Sequence, residues 1–297
     1  MVQEISGEMN MAKPILFYTS SAKHIAERMR IKKGRFVMKR FTDGEIYVRV
    51  LENVRRKKVW VLASTFSPAE NILELFFLLD ALKRGGARVN LIMPYFGYAR
   101  QDRVAERGEC LSAEVVCSLL RGFRLNKVLV IEMHSPRLKK FLKYENIVPF
   151  ELFYPAACRA DVVAAPDKGA VEGAKKISRA CGVSFAGMEK IRPVKEKARV
   201  TMKADNVKGK RIMIIDDMIS TGGTIIEAGK MLKKRGVKEV SVVATHGLFT
   251  GSAVKKLEKS PIKRIYVTNS ISQKATSRKI KVIDISGFVE SVIRKNS

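Results

Sequence analysis

Long apolar runs are missing from this 297-residue sequence, and so are the glycine-rich motifs of the commonest nucleotide sites. No stretch reaches the roughly 20 consecutive apolar residues of a membrane-spanning helix, so we expect no membrane association. No Gly-x-x-x-x-Gly-Lys-Ser/Thr string occurs, which argues against a P-loop nucleotide site. No Gly-x-Gly-x-x-Gly follows the first predicted strand, which argues against the usual dinucleotide-binding fold.

Cysteine is scarce as well. The four cysteines show no Cys-x-x-Cys spacing and have no histidine nearby: Cys110, Cys117, Cys158 and Cys181. This pattern predicts ordinary buried thiols in a reducing compartment. Residues 1–10 are polar and contain no apolar secretory region. We therefore expect a cytoplasmic protein in which residues 1–12 form a disordered extension, with Met9 and Met11 as alternative starts.

Acidic residues are outnumbered, because 57 lysines and arginines face 29 aspartates and glutamates, a formal charge of +28. A protein with this positive charge would meet anionic ligands at a higher rate and would bind nucleic acid non-specifically at low salt. The basic runs are scattered and none is interleaved with aromatic residues. A solvated basic surface is the favoured interpretation, and nucleic-acid binding stays open as the alternative.

Apolar periodicity predicts an α/β protein made of two tandem Rossmann-like domains with mainly parallel sheets, residues 13–155 and 156–297. The predicted strands are 15–18, 58–63, 88–93, 127–132, 161–165, 211–216, 239–245, 264–268 and 281–284. The predicted helices are 69–84, 112–122, 169–180, 223–235, 252–259 and 286–295. Residues 36–40 and 46–50 form a predicted hairpin around Thr42-Asp43-Gly44.

The most informative segment is 211–224, which predicts a buried strand, two acids, a turn of small residues and a helix. The turn residues are Ser220, Thr221, Gly222, Gly223 and Thr224. At a helix start, their N–H and hydroxyl groups can surround a phosphate. Asp216 and Asp217 fall at the predicted strand end, where open α/β sheets bind ligands. Two carboxylates beside a phosphate cradle suit the vicinal hydroxyls of a ribose 5-phosphate.

Other polar groups also follow predicted strands. The string 94–103 carries Arg100, Gln101 and Asp102, and Arg suits polyphosphate through its paired donors; a salt-bridged structural turn is the alternative. His134 and Asp167 end two further strands and could share one Mg²⁺, directly or through its waters. The alternatives are that His134 is a polar residue with its hydrogen bonds satisfied and that Asp167 is a helix N-cap.

Residues 190–207 are basic and predict a mobile hairpin or lid.

Together these strings resemble the ribose-phosphate pyrophosphokinase family, and the resemblance runs from about residue 14 to about residue 293. The motifs that carry it are 41–45, 94–103, 133–135, 165–167, 216–224 and 244–249, in the family's order. It implies two phosphoribosyltransferase-type domains with the active site between them, and an archaeal-type member. The implied reaction passes the diphosphate of ATP to ribose 5-phosphate and releases AMP.

The resemblance also implies roles for individual residues. The 220–224 turn would hold the 5-phosphate, and Asp216 and Asp217 the ribose hydroxyls. Arg100, Gln101, Asp102 and His134 would contact ATP, while Phe41, Asp43 and Glu45 would hold adenine from a neighbouring subunit of a dimer or hexamer. His134 and Asp167 would sit at the Mg²⁺ site, and Lys190 and Arg192 would be catalytic cations on the lid.

Two departures from the family pattern stand out. Glu132-Met133-His134 replaces the usual Asp-Leu-His, and Lys139 and Lys143 stand where many members carry glutamine and acids. These changes put the usual regulatory site in doubt. The alternatives are an ordinary phosphoribosyltransferase, which shares only the 216–224 loop, and a non-catalytic regulatory or RNA-binding relative.

Overall fold

The computed structural model describes residues 13–191, 199–202, 207–274 and 277–297. Its first half contains a parallel six-stranded sheet in the order β2-β1-β5-β6-β7-β8 and a separate hairpin, β3-β4. The elements of this half are β1 (Ile15–Tyr18), α1 (Lys23–Ala26), β2 (Lys32–Lys33), β3 (Phe36–Arg40), β4 (Ile46–Val50), β5 (Lys58–Leu62), α2 (Glu70–Arg84), β6 (Arg88–Met93), α3 (Ser112–Gly122), β7 (Lys127–Ile131) and β8 (Glu145–Ile147).

The second half contains a seven-stranded sheet in the order β11-β10-β9-β12-β13-β14-β15, in which only the β10-β11 pair is antiparallel. Its elements are α4 (Tyr154–Ala157), β9 (Val162–Ala165), α5 (Val171–Cys181), β10 (Ser184–Ile191), β11 (Arg199–Met202), β12 (Arg211–Ile219), α6 (Gly223–Lys234), β13 (Glu239–Gly247), α7 (Ala253–Glu258), β14 (Arg264–Thr268), β15 (Ile280–Ile283) and α8 (Ser286–Lys295). The predicted α/β class with mainly parallel sheets is confirmed.

The central strands are apolar on both faces because helices cover both sides of each sheet. In the first sheet, Phe17 and Val61 face the side of α2 and α3, while Leu16 and Trp60 face the opposite side. Because the strands are parallel, their carboxyl ends share one edge of each sheet. Polar residues that follow neighbouring strands are therefore brought together.

The C-terminal helix α8 packs against the first sheet although it follows the second. Val289, Val292 and Ile293 lie in one buried cluster with Leu16 and Trp60. Each such aliphatic side chain contributes roughly 1.5–3 kcal/mol when it is buried rather than exposed. The chain end thus fastens the two halves together. The division at residue 155 stays a prediction.

Several elements escaped the sequence prediction. Strands β2 and β8, most of β10, and helices α1 and α4 were not predicted, because they are short or, in β10, carry glycine and charged residues in place of an aliphatic run. Strand β12 continues to Ile219, three residues past the predicted end, since its pairing with β13 continues to Gly247.

The β10-β11 pair agrees with the predicted hairpin at 190–207. Residues 192–198, which connect the two strands, lie outside the described part of the chain. Within the described residues, no helix is both long and apolar enough to span a membrane.

The expectation of four buried thiols is wrong. Cys158 and Cys181 form a disulfide, and Cys110 is exposed. The two bonded cysteines follow α4 and end α5, two helices that pack together, and their Cα atoms lie 4.8 Å apart. The bond closes a loop of 23 residues, for which loop-closure entropy predicts a stabilisation of roughly 3 kcal/mol. Cys117 is buried, which raises the pKa of its thiol to about 12.

Thiol labelling tests this arrangement. In the folded protein we expect Cys110 to react rapidly and Cys117 slowly, because burial hinders access to Cys117 and keeps it protonated. In unfolded but unreduced protein, only these two should react. Peptide mapping without reductant should recover a Cys158–Cys181 cross-link, and four reactive thiols under those conditions would contradict the disulfide.

Candidate active site between the two sheets

The carboxyl ends of the two sheets meet, and hydrogen bonds cross the junction between them. Nδ1 of His134, which follows β7, lies 2.5 Å from Oδ2 of Asp217 in β12. Nη1 of Arg100 donates to Oγ of Ser220 over 3.3 Å. Oε2 of Glu132 accepts a hydrogen bond from the hydroxyl of Thr245 in β13. Residues that sequence reasoning assigned to two separate ligands are thus brought to one place.

The His134–Asp217 pair shifts the titration of both groups. Its hydrogen bond is the main cause that raises the pKa of His134, and desolvation opposes it. For Asp217, burial alone would raise the pKa, but the bond to His134 and the nearby positive charge lower it below its ordinary value. The pair therefore favours a protonated imidazole beside an ionised carboxylate.

Asp216 lies beside this pair and behaves differently. Burial is the main cause that raises its pKa well above the ordinary value, and the negative charges of Asp217 and Asp167 add to the effect. Both β12 aspartates lie inside the strand, since Asp216 pairs with Ala244 and the strand continues to Ile219. The prediction that they sit at the strand end is therefore wrong by three residues. They still face the junction, since Asp217 bonds to His134 and Asp216 lies near enough to Asp167 for that charge to act on it.

The predicted phosphate loop connects β12 to α6. Gly222 has a φ of +76°, a left-handed conformation that glycine adopts without strain. A Cβ at this position would also lie 3.2 Å from the Leu257 side chain. Gly223 begins the 12-residue helix α6, whose N-terminus carries the positive end of the helix dipole. Ser220 contacts Arg100 on one side and Thr250 on the other, at 3.1 Å.

Not every predicted ATP contact points into the junction. The side chain of Gln101 accepts a hydrogen bond from the Ser112 hydroxyl at the start of α3. Oδ2 of Asp102 accepts one from Ser135 over 2.6 Å and lies 4.0 Å from Nε of Arg137. Among residues 100–102, Arg100 contacts the second half in the described part of the structure.

Asp167 does not cap α5, because the N-cap of that helix is Ala170, without a side-chain hydrogen bond. Its Oδ1 instead accepts hydrogen bonds from the backbone N–H groups of Gly169, at 2.9 Å, and Ala170, at 3.3 Å, in the turn before the helix. Its negative charge adds to the burial that raises the pKa of Asp216, which places it near the paired aspartates. A carboxylate that uses one oxygen in a turn retains a second oxygen for a cation or its waters.

The predicted adenine-binding residues lie on the β3-β4 hairpin. Phe41 is 47% exposed, its ring lies 5.4 Å from that of Tyr47, and Lys39 lies over both rings. Oδ1 of Asp43 accepts a hydrogen bond from the backbone N–H of Glu45 over 3.0 Å. As far as the chain is described, no hydrogen bond or ring contact joins Phe41, Asp43 or Glu45 to the junction residues of the same chain.

The two predicted catalytic cations are placed only in part. The backbone of Lys190 belongs to β10, opposite Val200 of β11. Arg192 lies outside the described residues. Strand β10 neighbours β9, which Asp167 follows, so Lys190 belongs to an element that adjoins the site.

Sequence reasoning assigned no site role to four residues that build the junction, although they lie in or beside the quoted motifs: Tyr95, Glu132, Thr245 and His246. The ring of His246 packs against Tyr95 at 4.9 Å between centroids, and its Nε2 lies 3.1 Å from the backbone oxygen of Glu132. Burial lowers the pKa of His246 to about 4 and raises that of Glu132 to about 8. A polar residue directly after an aliphatic strand is the signal that could have identified Glu132.

A separate cavity of about 650 Å³ opens beside the junction, at loops that follow β1, β5, β13 and β14. His24, Phe66, Asn71, Phe249 and Gln273 contribute to its lining. None of the predicted site residues lines it. Several of its polar side chains bond to nearby backbone, as Gln273 does to Gly247 and His24 to Asn269.

Comparison with known proteins identifies the family. Residues 18–123 match the family model of the N-terminal domain of ribose phosphate pyrophosphokinase, and residues 169–297 match that of the phosphoribosyl synthetase-associated domain. The ribose-phosphate pyrophosphokinase of Fusobacterium nucleatum is 35% identical over 284 residues, which cover 92% of this chain and 90% of the relative. The chain belongs to the ribose-phosphate pyrophosphokinase family.

The similarity to this family includes the fold and covers nearly the whole chain. The crystal structure of phosphoribosylpyrophosphate synthetase from Mycobacterium smegmatis superposes with a TM-score of 0.83 at 30% identity, over 96% of this chain and 100% of that one. The ribose-phosphate pyrophosphokinase of Pyrococcus abyssi is 36% identical over 282 residues, 92% of this chain and 96% of the relative. Since bacterial and archaeal pyrophosphokinases are similarly close, the archaeal type stays a prediction.

The His134–Asp217 pair can be tested by NMR titration of the ligand-free protein. We expect His134 to titrate above pH 6.5 and His246 to remain neutral down to about pH 4. Because the folded-state pKa of His134 is raised, its contribution to stability is complete below the unfolded pKa and disappears as the pH rises through the folded pKa. Asp217→Asn should lower the pKa of His134. An unchanged pKa in this variant would contradict the pairing.

Proposed function

We propose that the protein is a ribose-phosphate diphosphokinase, which transfers the diphosphate group of ATP to the C1 hydroxyl of ribose 5-phosphate. The products are 5-phosphoribosyl 1-diphosphate and AMP, and the reaction supplies nucleotide biosynthesis in the cytoplasm. The observation that carries the proposal is the junction itself, where Asp217 of β12 and Ser220, which follows β12, contact His134 and Arg100 from the other half. Family membership supports the same reaction.

Ribose 5-phosphate binds on the second half in this proposal. Its phosphate occupies the turn formed by Ser220, Thr221, Gly222, Gly223 and Thr224, where backbone N–H groups and the α6 dipole favour an anion. The ribose hydroxyls donate to the carboxylates of Asp216 and Asp217. Asp217 suits this role because its lowered pKa keeps it an acceptor.

ATP binds on the first half. Arg100 and His134 contact the phosphates in this proposal. Gln101 and Asp102, whose described bonds are to Ser112 and Ser135, keep the ATP contacts that the resemblance implies. The adenine lies against Phe41, Asp43 and Glu45 of a second copy of the chain, which makes the active site shared within a homodimer or hexamer. The exposed ring of Phe41 and its lack of a described contact with its own junction support this part of the proposal.

The transfer relies on positioning and cations. The C1 oxygen attacks the β-phosphorus, the bond between that phosphorus and the α,β-bridging oxygen breaks, and AMP leaves with that oxygen. Negative charge spreads over the transferred group, so catalysis consists mainly of alignment and electrostatic stabilisation. Lys190, whose backbone lies in β10, and Arg192 supply positive charge to the transferred group, and closure of the predicted lid would exclude water.

The junction residues fit a magnesium ion. Asp167 and Asp217 raise the pKa of Asp216 by their negative charge, a repulsion that a cation would offset. Among the described residues, no three His, Cys, Asp or Glu side chains form a complete metal cluster. Mg²⁺ keeps several waters and shares substrate phosphates, so it needs few ligands from the protein. His134 and Asp167 would hold it, and it would neutralise charge on the transferred diphosphate.

The product assay is the primary test of this function. With Mg²⁺, ATP and ribose 5-phosphate, the purified protein should release AMP and form an acid-labile diphosphate ester in equal amounts, because the β,γ-diphosphate moves as one unit. Chromatography of the nucleotides and ³¹P NMR measure both products. Release of ADP, or no nucleotide turnover, would contradict the assignment. Conversion of added 5-phosphoribosyl 1-diphosphate and a nucleobase to a nucleotide would instead support the phosphoribosyltransferase alternative.

A complementation experiment tests the shared site. Phe41→Ala and Lys190→Ala should each lower turnover by orders of magnitude when expressed alone. When the two variants are co-expressed in equal amounts, random pairing in a symmetric assembly regenerates about a quarter of the sites with both residues intact. Recovery of about a quarter of the wild-type activity is expected. A mixture no more active than its components, each inactive alone, would show that both residues act within one chain and would contradict the shared site.

A further inference from the structure

Glu132 adopts an unusual backbone conformation at the centre of the junction. It follows β7 with a φ of +42°, in the left-handed region that residues other than glycine rarely adopt. This conformation costs free energy and persists where surrounding contacts impose it. Glu132 lies two residues before His134, so its geometry sets the direction in which the chain delivers His134 toward the second half.

The contacts of Glu132 reach both halves of the molecule. Its backbone N–H donates to the oxygen of Ile147 over 2.9 Å, which anchors it to its own sheet. Its carboxylate accepts a hydrogen bond from the fully buried hydroxyl of Thr245. Its backbone oxygen lies 3.1 Å from Nε2 of His246, and Nδ1 of His246 lies 2.9 Å from Oγ of Ser270. Residue 132 is therefore held between β8 on one side and β13 on the other.

The next residues continue this attachment. The backbone N–H of Met133 donates to Oδ1 of Asn146 over 2.7 Å, and His134 then meets Asp217 at 2.5 Å. Asp217 belongs to β12, the strand that neighbours β13. The 132–134 segment thus contacts two adjacent strands of the second sheet. Its two partners, Asp217 and Thr245, lie side by side in the pairing of β12 with β13.

We propose that Glu132 is a positioning residue, whose hydrogen bond with Thr245 fixes the 132–134 segment so that His134 meets Asp217 at the reacting centre. This inference rests on the proposed function for its catalytic consequence. Glu132 itself has no proposed contact with either substrate. An apolar residue here would leave the buried Thr245 hydroxyl without this acceptor and would remove the bond that holds the 132–134 segment to β13.

Four variants separate positioning from general packing. Glu132→Leu removes the acceptor, and Thr245→Val removes the donor at nearly constant shape. Glu132→Gln retains an acceptor oxygen at the same reach. Glu145→Gln is the matched control, since Glu145 is an exposed acid on β8 whose partner is Lys127. Each variant is assayed for kcat and for both KM values, and for thermal unfolding. The Nδ1–H resonance of His134 in the ligand-free protein reports directly on the bond to Asp217.

We expect Glu132→Leu and Thr245→Val each to lower kcat on the order of 10- to 100-fold, because a displacement of about 1 Å at a reacting centre has an effect of this size. The double variant should be no slower than either single one, since both remove the same bond. The downfield His134 resonance should be lost in all three. Glu132→Gln should retain the resonance and keep kcat within about threefold of wild type, and Glu145→Gln should match wild type.

A His134 resonance unchanged in Glu132→Leu would overturn the inference, whatever happens to thermal stability. Additive losses in the double variant would also overturn it, because they would show that the two side chains act separately. The resonance is measured without substrate. A wild-type protein that lacks diphosphokinase activity but shows the predicted resonance changes would therefore refute the proposed function while supporting the positioning role.

Discussion

The arrangement of this molecule depends on the contact between the carboxyl ends of two parallel sheets. The sheets are separate, yet Glu132 and His134 from one bond to Thr245 and Asp217 from the other. Thr245 is fully buried, so its hydroxyl needs a matched partner, because an unpaired polar group there is costly. The junction therefore has few alternative alignments, and helix α8, which returns to pack on the first sheet, reinforces the same alignment.

This contact also explains the distribution of charge at the site. The chain carries +28 overall, yet Asp167, Asp216 and Asp217 lie close together, and burial followed by the charges of its two neighbours raises the pKa of Asp216. Their repulsion is offset in part by His134. An arrangement of this kind is unfavourable for stability alone, and it suits a site where a cation and sugar hydroxyls complete the set. The surrounding basic surface suits the encounter with phosphorylated substrates.

The sequence predicted those strands and turns that depend on the periodicity and chemistry of neighbouring residues. The strand run 211–215, the Ser220–Thr224 turn and the hairpin at Thr42-Asp43-Gly44 each follow from neighbouring residues, and the structure contains all three. Contacts between distant parts were beyond the same reasoning. The packing of α8 on the first sheet, the Cys158–Cys181 bond and the Glu132–Thr245 bond join residues far apart along the chain, and no local pattern specifies them. The extension of β12 was missed because its partner strand, not its own composition, sets its end.

The central claim is that the junction, and not the neighbouring cavity lined by His24 and Phe249, holds the phosphorylated sugar. A crystal structure of the protein with ribose 5-phosphate bound tests this most directly. The account predicts the phosphate within hydrogen-bond distance of the backbone N–H groups of the 220–224 turn, and ribose hydroxyls at the carboxylates of Asp216 and Asp217. A sugar phosphate bound in the cavity, with the junction carboxylates making no contact with it, would contradict the account.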